Sequence, residues 1–438
     1  MWMTIGLLGV LPAFTNVRLG SLQPEDFVLL LILVFCIVKL TYSGFSFHVS
    51  SKLSNLLGSY CLLMLFLLLM AISSVRLTSY PLDEMSLLKQ PVIFPVSKLL
   101  QLAAVMCGFF WLTNVFMRKR SSLLQALTAY WITGIACSAY AILSYIVLAV
   151  FRFTPPDIFG AYANMNDVLR ARGFFNEGGP FGVFLVSVFL IGLLRRHLTN
   201  RPLGLVNIAV LTIAFVLSAS KAGFIVAMLL LLYSVVTANS LRVRVLYLVI
   251  GAGVIIGTAS WLNFGNQLSG YLDSYLDIDE AMVGRENDYN LVAGRVSGMI
   301  IVPRMISAHP WTGIGFGNYP MMRNDPHYLG SLPAIPVEDL PGIGIPGIAA
   351  EMGVPATTWL LVLLLLPFWA SRKNVPILGI AAIFQFLAHA FAVQLTFFYP
   401  WFVTACALAA STYESESFLD NSAELRKRTV RLAAPPAL

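Results

Sequence analysis

A lysine stands between two long apolar stretches, in Ser218-Ala219-Ser220-Lys221-Ala222-Gly223. Ser218 or Ser220 can cap a helix that begins near Lys221. A cation at that position opposes the helix dipole by roughly 0.3–1 kcal/mol. Two positive ends brought together make sense where an anion belongs, although a lysine snorkelling to lipid headgroups would carry the same signature. Arg170 and Arg172 precede a second junction, Gly173-Phe174-Phe175-Asn176-Glu177-Gly178-Gly179-Pro180. The guanidinium fork suits phosphate oxygens, and glycines let a backbone approach closely; headgroup anchoring is the plainer alternative. A third group holds Arg295, Arg304 and the segment His309-Pro310-Trp311-Thr312-Gly313-Ile314-Gly315-Phe316-Gly317-Asn318-Tyr319. Its GxGxG spacing follows a helix and no strand, so it meets neither dinucleotide-binding nor P-loop context, and a turn is the plainer reading of those glycines.

Proton transfer needs a carboxylate or an imidazole. Glu351, in Ala349-Ala350-Glu351-Met352-Gly353-Val354, is an ionisable group near the start of an apolar span, where its cost makes it a functional candidate by default. His327 lies in the polar stretch Arg323-Asn324-Asp325-Pro326-His327-Tyr328 and can serve as a base near neutral pH. Glu177 is either an acid or base or a first-turn capping residue. His309 reads as a helix C-cap, and His389, inside an apolar run, as a buried hydrogen bond to a neighbouring helix.

These residues must be positioned by a membrane protein. Of 438 residues, 58% are hydrophobic and 11% charged, against about 25% charged in a soluble domain. A soluble enzyme with a single anchor is excluded. The nearly unbroken runs Leu62–Met70 and Leu361–Leu366 also argue against an outer-membrane barrel, whose strands alternate in polarity. The net charge of +7 records basic residues in loops and not an affinity for nucleic acid. The five cysteines all fall inside apolar runs and form no CxxC pair, so neither disulfides nor a zinc site are expected.

Apolar runs predict spans near 25–41, 54–73, 95–116, 124–150, 178–194, 203–219, 222–238, 245–262, 345–370, 376–393 and 396–412; Met1–Thr15, short for a span, would be a twelfth. The basic clusters Arg118-Lys119-Arg120, Arg195-Arg196 with Arg201, Arg242 with Arg244, Arg372-Lys373 and Arg426-Lys427-Arg428 are separated by even numbers of spans. The positive-inside rule then makes them, and the C-terminus, cytoplasmic. The segment from Asn263 to Gly342 falls on the external face. Its nine acids against four arginines leave it acidic, so its arginines belong to no general basic patch. A loop this long is functional or disordered, and its Trp, Tyr, Ile and Met content argues for an ordered subdomain. Gly294–His309 reads as an apolar helix that Pro303 kinks or splits. The organisation expected is 1–262 transmembrane, 263–343 external loop subdomain, 344–412 transmembrane and 413–438 cytoplasmic tail.

The Arg172-Gly173-Phe174-Phe175-Asn176-Glu177 junction, the Ser218–Gly223 turn, and the long loop with Arg295, His309–Asn318 and then Ala350-Glu351-Met352-Gly353 occur in an order that resembles the O-antigen ligase and Wzy-type O-antigen polymerase superfamily. The resemblance is close over residues 160–370. It implies an all-α, GT-C-like polytopic protein of 11–12 transmembrane helices in a bacterial inner membrane, with a long, partly helical periplasmic loop. It further implies an undecaprenyl-diphosphate-linked oligosaccharide donor, whose diphosphate is bound by Arg172, Lys221 and Arg295 with Arg304 and Arg170 as helpers. Transfer would be inverting, with no metal and no cofactor, and Glu351, His327 or Glu177 would accept the proton. A chain-length regulator and a flippase of the same pathway are the partners it suggests. Two departures distinguish this chain. Lys221 stands where the family usually has arginine, and no histidine lies about nine residues before Glu351, where ligases usually place one. The second departure favours a polymerase over a ligase; a lipid-linked-sugar transporter and a non-catalytic scaffold are the more distant readings.

Overall fold

A computed structural model describes residues 2–14, 24–43, 51–74, 93–152, 160–163, 169–175, 177–237, 295–334, 344–371, 376–391 and 393–413. The helices are α1 (Trp2–Val10), α2 (Pro24–Ser43), α3 (Ser51–Ser74), α4 (Ile93–Arg118), α5 (Arg120–Phe151), α6 (Gly178–Thr199), α7 (Leu205–Leu217) and α8 (Lys221–Thr237). Beyond them come α9 (Arg295–Ala308), the single turns α10 (Tyr319–Met322) and α11 (Pro326–Leu329), then α12 (Ile345–Ser371), α13 (Pro376–Ala390) and α14 (398–413). The predicted span 245–262, the basic pairs Arg242/Arg244 and Arg372/Lys373, and the tail from 414 lie outside the described residues.

The chain is an all-α polytopic membrane protein. Among the described residues, Ile93–Arg118, Arg120–Phe151, Gly178–Thr199 and Ile345–Trp369 are long and apolar enough to cross a bilayer, and shorter apolar helices stand beside them. At nine residues, α1 is too short to span. Exposed Leu31, Phe35, Leu65, Ile132, Leu143 and Val150 form outer faces fit for acyl chains. The core runs between α2, α4, α5, α6, α13 and α14, where Phe109, Tyr130, Phe184, Phe398, Trp401 and Phe402 are buried. Close helix approaches depend on small residues, as in other membrane bundles. A Cβ on Gly192 of α6 would lie 2.2 Å from the Trp131 ring, and one on Gly134 of α5 would lie 2.3 Å from Val188.

Sequence reading missed one element. β1 (Gly160–Ala163) and β2 (Leu169–Gly173) pair antiparallel in a hairpin between α5 and α6. Strands of four and five residues leave too little alternation to stand out beside 20-residue apolar runs. α9 continues through Pro303 to Ala308 as one helix, so of the two expected outcomes Pro303 does not begin a second helix.

The bundle has two chemically distinct ends. At one, Arg120 Nη2 donates to the Leu198 carbonyl at 3.1 Å and Arg195 Nε donates to Thr128 Oγ1 at 3.3 Å. Tyr413 at the end of α14 donates to the Phe116 carbonyl beside Arg118. The basic clusters at 118–120 and 195–201 therefore share this end with the exit of the last helix. The hairpin, the α7–α8 turn and the starts of α4, α12 and α14 lie at the opposite end.

Candidate active site

The strand β2 explains why two arginines can act together. Successive strand residues point to opposite faces. Ala171 and Gly173 are buried, while Arg170 and Arg172 alternate with them and are only partly buried. Alternation thus places the two guanidinium stems on one side. Gly173 closes the strand at φ +56°, where an added Cβ would lie 2.9 Å from Cys137 Sγ.

The α7–α8 turn packs directly against the start of α6. Ala219 adopts a left-handed φ of +47°. Ser220 caps α8: its Oγ accepts from the Gly223 amide at 2.9 Å and donates to the Gly179 carbonyl at 2.7 Å. One hydroxyl therefore caps a helix and joins the two junctions noted in the sequence. The approach tolerates no side chain, since a Cβ on Gly182 would fall 2.2 Å from Ser220 Cβ and one on Gly178 would fall 2.4 Å from the Ser218 carbonyl. Lys221, half-buried, starts α8 at this crossing.

The other two motifs, far apart in sequence, form a single hydrogen-bonded unit. α12 breaks at Gly353, where φ is +78° and ψ 161°. In an unbroken helix the carbonyls of Ala350 and Glu351 would accept from residues 354 and 355. Pro355 has no amide hydrogen, and the Val354 amide is turned to the Pro310 carbonyl at 2.8 Å. The freed carbonyls accept instead from the glycine-rich loop: Ile314 N donates to Ala350 O at 2.9 Å and Gly315 N to Glu351 O at 3.0 Å. The Ala350 and Glu351 carbonyls and the Val354 amide are thereby paired, as burial requires. The loop needs its glycines: Gly313, Gly315 and Gly317 all have φ between +65° and +95°. A Cβ on Gly313 would lie 2.3 Å from Glu351 O.

The Glu351 side chain completes the junction. Its Oε1 accepts from the Tyr319 amide at 3.1 Å, and the carboxylate also takes the Gly317 amide. Beside it opens a cavity of about 100 Å³ lined by Glu351, Lys98, Tyr319, His389, Gln394 and Thr396, with Phe94 and Phe316 as apolar wall. Lys98 Nζ lies 5.2 Å from the Phe94 ring centroid, and its charge acts on Glu351. Burial pushes the Tyr319 phenol up to about 12, with Arg323 pulling it down and Glu351 pushing it further up, so at neutral pH it offers a neutral hydroxyl. The start of α14 holds the cavity floor in place. Glu25 Oε1 accepts from the Phe398 amide at 3.2 Å, and Trp401 Nε1 donates to the Leu395 carbonyl at 3.0 Å. Tyr399 reaches across to the Pro180 carbonyl at 3.4 Å, which ties this wall to the α6 junction.

Of the eight candidate residues, only Glu351 lines this cavity among the described residues. Arg172, Arg170 and Lys221 gather at the neighbouring α6–α8 junction. Glu177 is exposed at the N-terminus of α6 and makes no side-chain cap. Arg304 holds the small loop fold: its Nη1 donates to the Tyr328 carbonyl at 2.9 Å. His327 is exposed on α11 next to Tyr328. His309 does more than end a helix, since its Nε2 lies 3.0 Å from the Tyr328 hydroxyl. Arg295 begins α9, and its side chain is outside the described residues. Sequence reasoning missed Lys98, whose single charge in an apolar helix carried no spacing signal. It gave His389 a bond to another helix, whereas His389 Nδ1 bonds to the Val393 carbonyl just beyond its own.

Residues 206–361 match the protein family described as O-antigen ligase. Over this span the chain is similar to members of that family. The matched residues hold the Ser218–Lys221 turn, α9, the His309–Asn318 loop and the Glu351 break. Arg170, Arg172 and His389 lie outside them. A comparison with curated proteins finds no match.

Proposed function

We propose that this protein is a glycosyltransferase that polymerises undecaprenyl-diphosphate-linked oligosaccharide repeats into O-antigen or exopolysaccharide on the periplasmic face of a bacterial inner membrane. The observation that carries this reading is the docking of the His309–Asn318 loop on Ala350–Gly353, inside the matched domain and at the end of the bundle that also holds Arg172 and Lys221. Displacing a polyprenyl diphosphate from an anomeric carbon builds negative charge on the leaving group. Fixed cations stabilise that transition state more than the ground state. Arg172, Lys221 and Arg295 take this role, with Arg170 and Arg304 as helpers. Glu351, His327 and Glu177 are the groups able to accept the proton of the attacking sugar hydroxyl. No metal takes part, and the reaction inverts the anomeric centre.

The family description favours a second reading, a ligase that moves a finished glycan to a lipid A-core or protein acceptor. The absence of a histidine near position 342 supports polymerisation over ligation. Purified protein in EDTA, given undecaprenyl-diphosphate oligosaccharide as its sole glycan, is expected to produce a ladder of longer chains on a gel. Product that forms only after a lipid or protein acceptor is added would make it a ligase. An EDTA-sensitive ladder would overturn the metal-free mechanism, and no product under either condition would overturn glycosyl transfer.

A further inference from the structure

His389 is 1% exposed, and its Nε2 is buried with no hydrogen-bond partner among the described residues. An unpaired polar atom at such depth is costly unless something else occupies the space next to it. Its other nitrogen fixes the chemistry. Nδ1 lies 3.0 Å from the Val393 carbonyl, which can only accept, so Nδ1 carries the hydrogen. In the neutral ring Nε2 then presents a lone pair. The ring is held from a second side by Trp401, at 6.0 Å between centroids.

The cavity that His389 lines has the character of a sugar site. One water needs about 10–15 Å³ of such space, so about 100 Å³ admits several waters or a pyranose ring. Glu351, Lys98, Gln394 and Thr396 supply donors and acceptors for hydroxyls, while Phe94 and Phe316 supply an apolar wall for a ring face. Glu351 is the other proton acceptor here, but its carboxylate already takes the Tyr319 and Gly317 amides. His389 Nε2 has its lone pair uncommitted among the described residues.

We infer that the cavity takes the acceptor monosaccharide and that His389 Nε2 is the catalytic base for its attacking hydroxyl. The inference rests on the glycosyl-transfer reading above and deepens it. In the step, the acceptor oxygen forms a bond to the donor's anomeric carbon as the bond from that carbon to the diphosphate oxygen breaks. The hydroxyl proton passes to Nε2, the bonding pair leaves with the polyprenyl diphosphate, and the imidazolium later returns its proton to water. Lys98 and Glu351 line the same cavity as the charged groups of opposite sign.

His389→Asn tests this directly, because the asparagine amide can still donate to Val393 while the Nε2 atom is gone. Turnover with undecaprenyl-diphosphate oligosaccharide should fall by about 10²-fold or more, the usual contribution of a general base. Donor affinity and melting temperature in detergent should stay near wild type. His389→Ala should regain activity on addition of imidazole. Wild-type turnover in His389→Asn overturns the assignment, as does a lowered melting temperature with no response to imidazole. If the wild-type protein itself forms no glycan product, the glycosyl-transfer reading fails and this one with it.

Discussion

Single residues decide how the two motif segments meet. Gly353 sits at φ +78°, and a Cβ there would lie 2.5 Å from the Trp311 carbonyl. Gly353→Ala must move either the loop or the break in α12, and an L-residue in left-handed backbone adds about 1–2 kcal/mol of strain. We expect the variant to insert into membranes, to melt several degrees lower in detergent, and to lose transfer activity. Normal melting with normal activity would show that the docking is dispensable. Ser220→Ala should cost about 1 kcal/mol of stability through the lost cap, whereas Lys221→Ala should abolish donor turnover with little change in melting, and Lys221→Arg should retain it. Unchanged turnover in Lys221→Ala would remove the lysine from the site. Much at this scale was legible in the sequence. A serine cap, at Ser218 or Ser220, and the turn-forming glycines follow from residue type alone, and the structure selects Ser220. Glu351 was found because an ionisable group at a span start is expensive. His389 and Lys98 were not weighted as site residues because a lone polar group in an apolar run reads as structural until a cavity beside it is seen.

Elements carry these residues to a common place through close packing. α6 and α8 cross where Gly182 meets Ser220 and Gly223, so the turn that bears Lys221 lies against the junction that follows Arg172. Gly182→Val inserts a side chain into a 2.2 Å gap. Overpacking usually costs about 1–3 kcal/mol, and here the cheapest relief is to push the Ser218–Lys221 turn away. The expected result is a protein that still expresses and extracts but binds the lipid-linked donor at least about tenfold more weakly. Donor affinity equal to wild type would separate the crossing from the site. Helix boundaries were readable to a few residues because about twenty apolar residues must cross the bilayer. The hairpin was not. Its second strand, Leu169-Arg170-Ala171-Arg172-Gly173, has only two inward positions, and its partner Gly160–Ala163 is only four residues long. The break in α12 was equally hidden, since Gly353 and Pro355 within an apolar run do not reveal that a loop thirty-odd residues upstream receives the freed carbonyls.

At the scale of the whole molecule the argument concerns sides. Lysine and arginine in short loops are retained on the cytoplasmic side, and the described clusters at 118–120 and 195–201 do meet at one end of the bundle. Arg170, Arg172, Lys221 and Lys98 break the pattern at the other end, where each needs a reason to be there. An anionic substrate reached from outside supplies one reason for all four, and the acidic balance of the 263–342 segment shows that general charge attraction is not the cause. This reading fixes a sidedness that labelling can check. Ser331 is exposed near α11, and Arg201 is exposed beyond α6 at the basic end. The five native cysteines lie in apolar helices and set the background. In intact cells with a permeabilised outer membrane, a charged maleimide should label Ser331→Cys above that background and leave Arg201→Cys unlabelled. Arg201→Cys should react only once the inner membrane is opened. The reverse pattern would place the candidate site on the cytoplasmic side, where the donor's sugars would have to be joined before crossing. Labelling of both from outside would mean that one of the two ends has been assigned to the wrong side, and with it the even spacing of spans between the basic clusters.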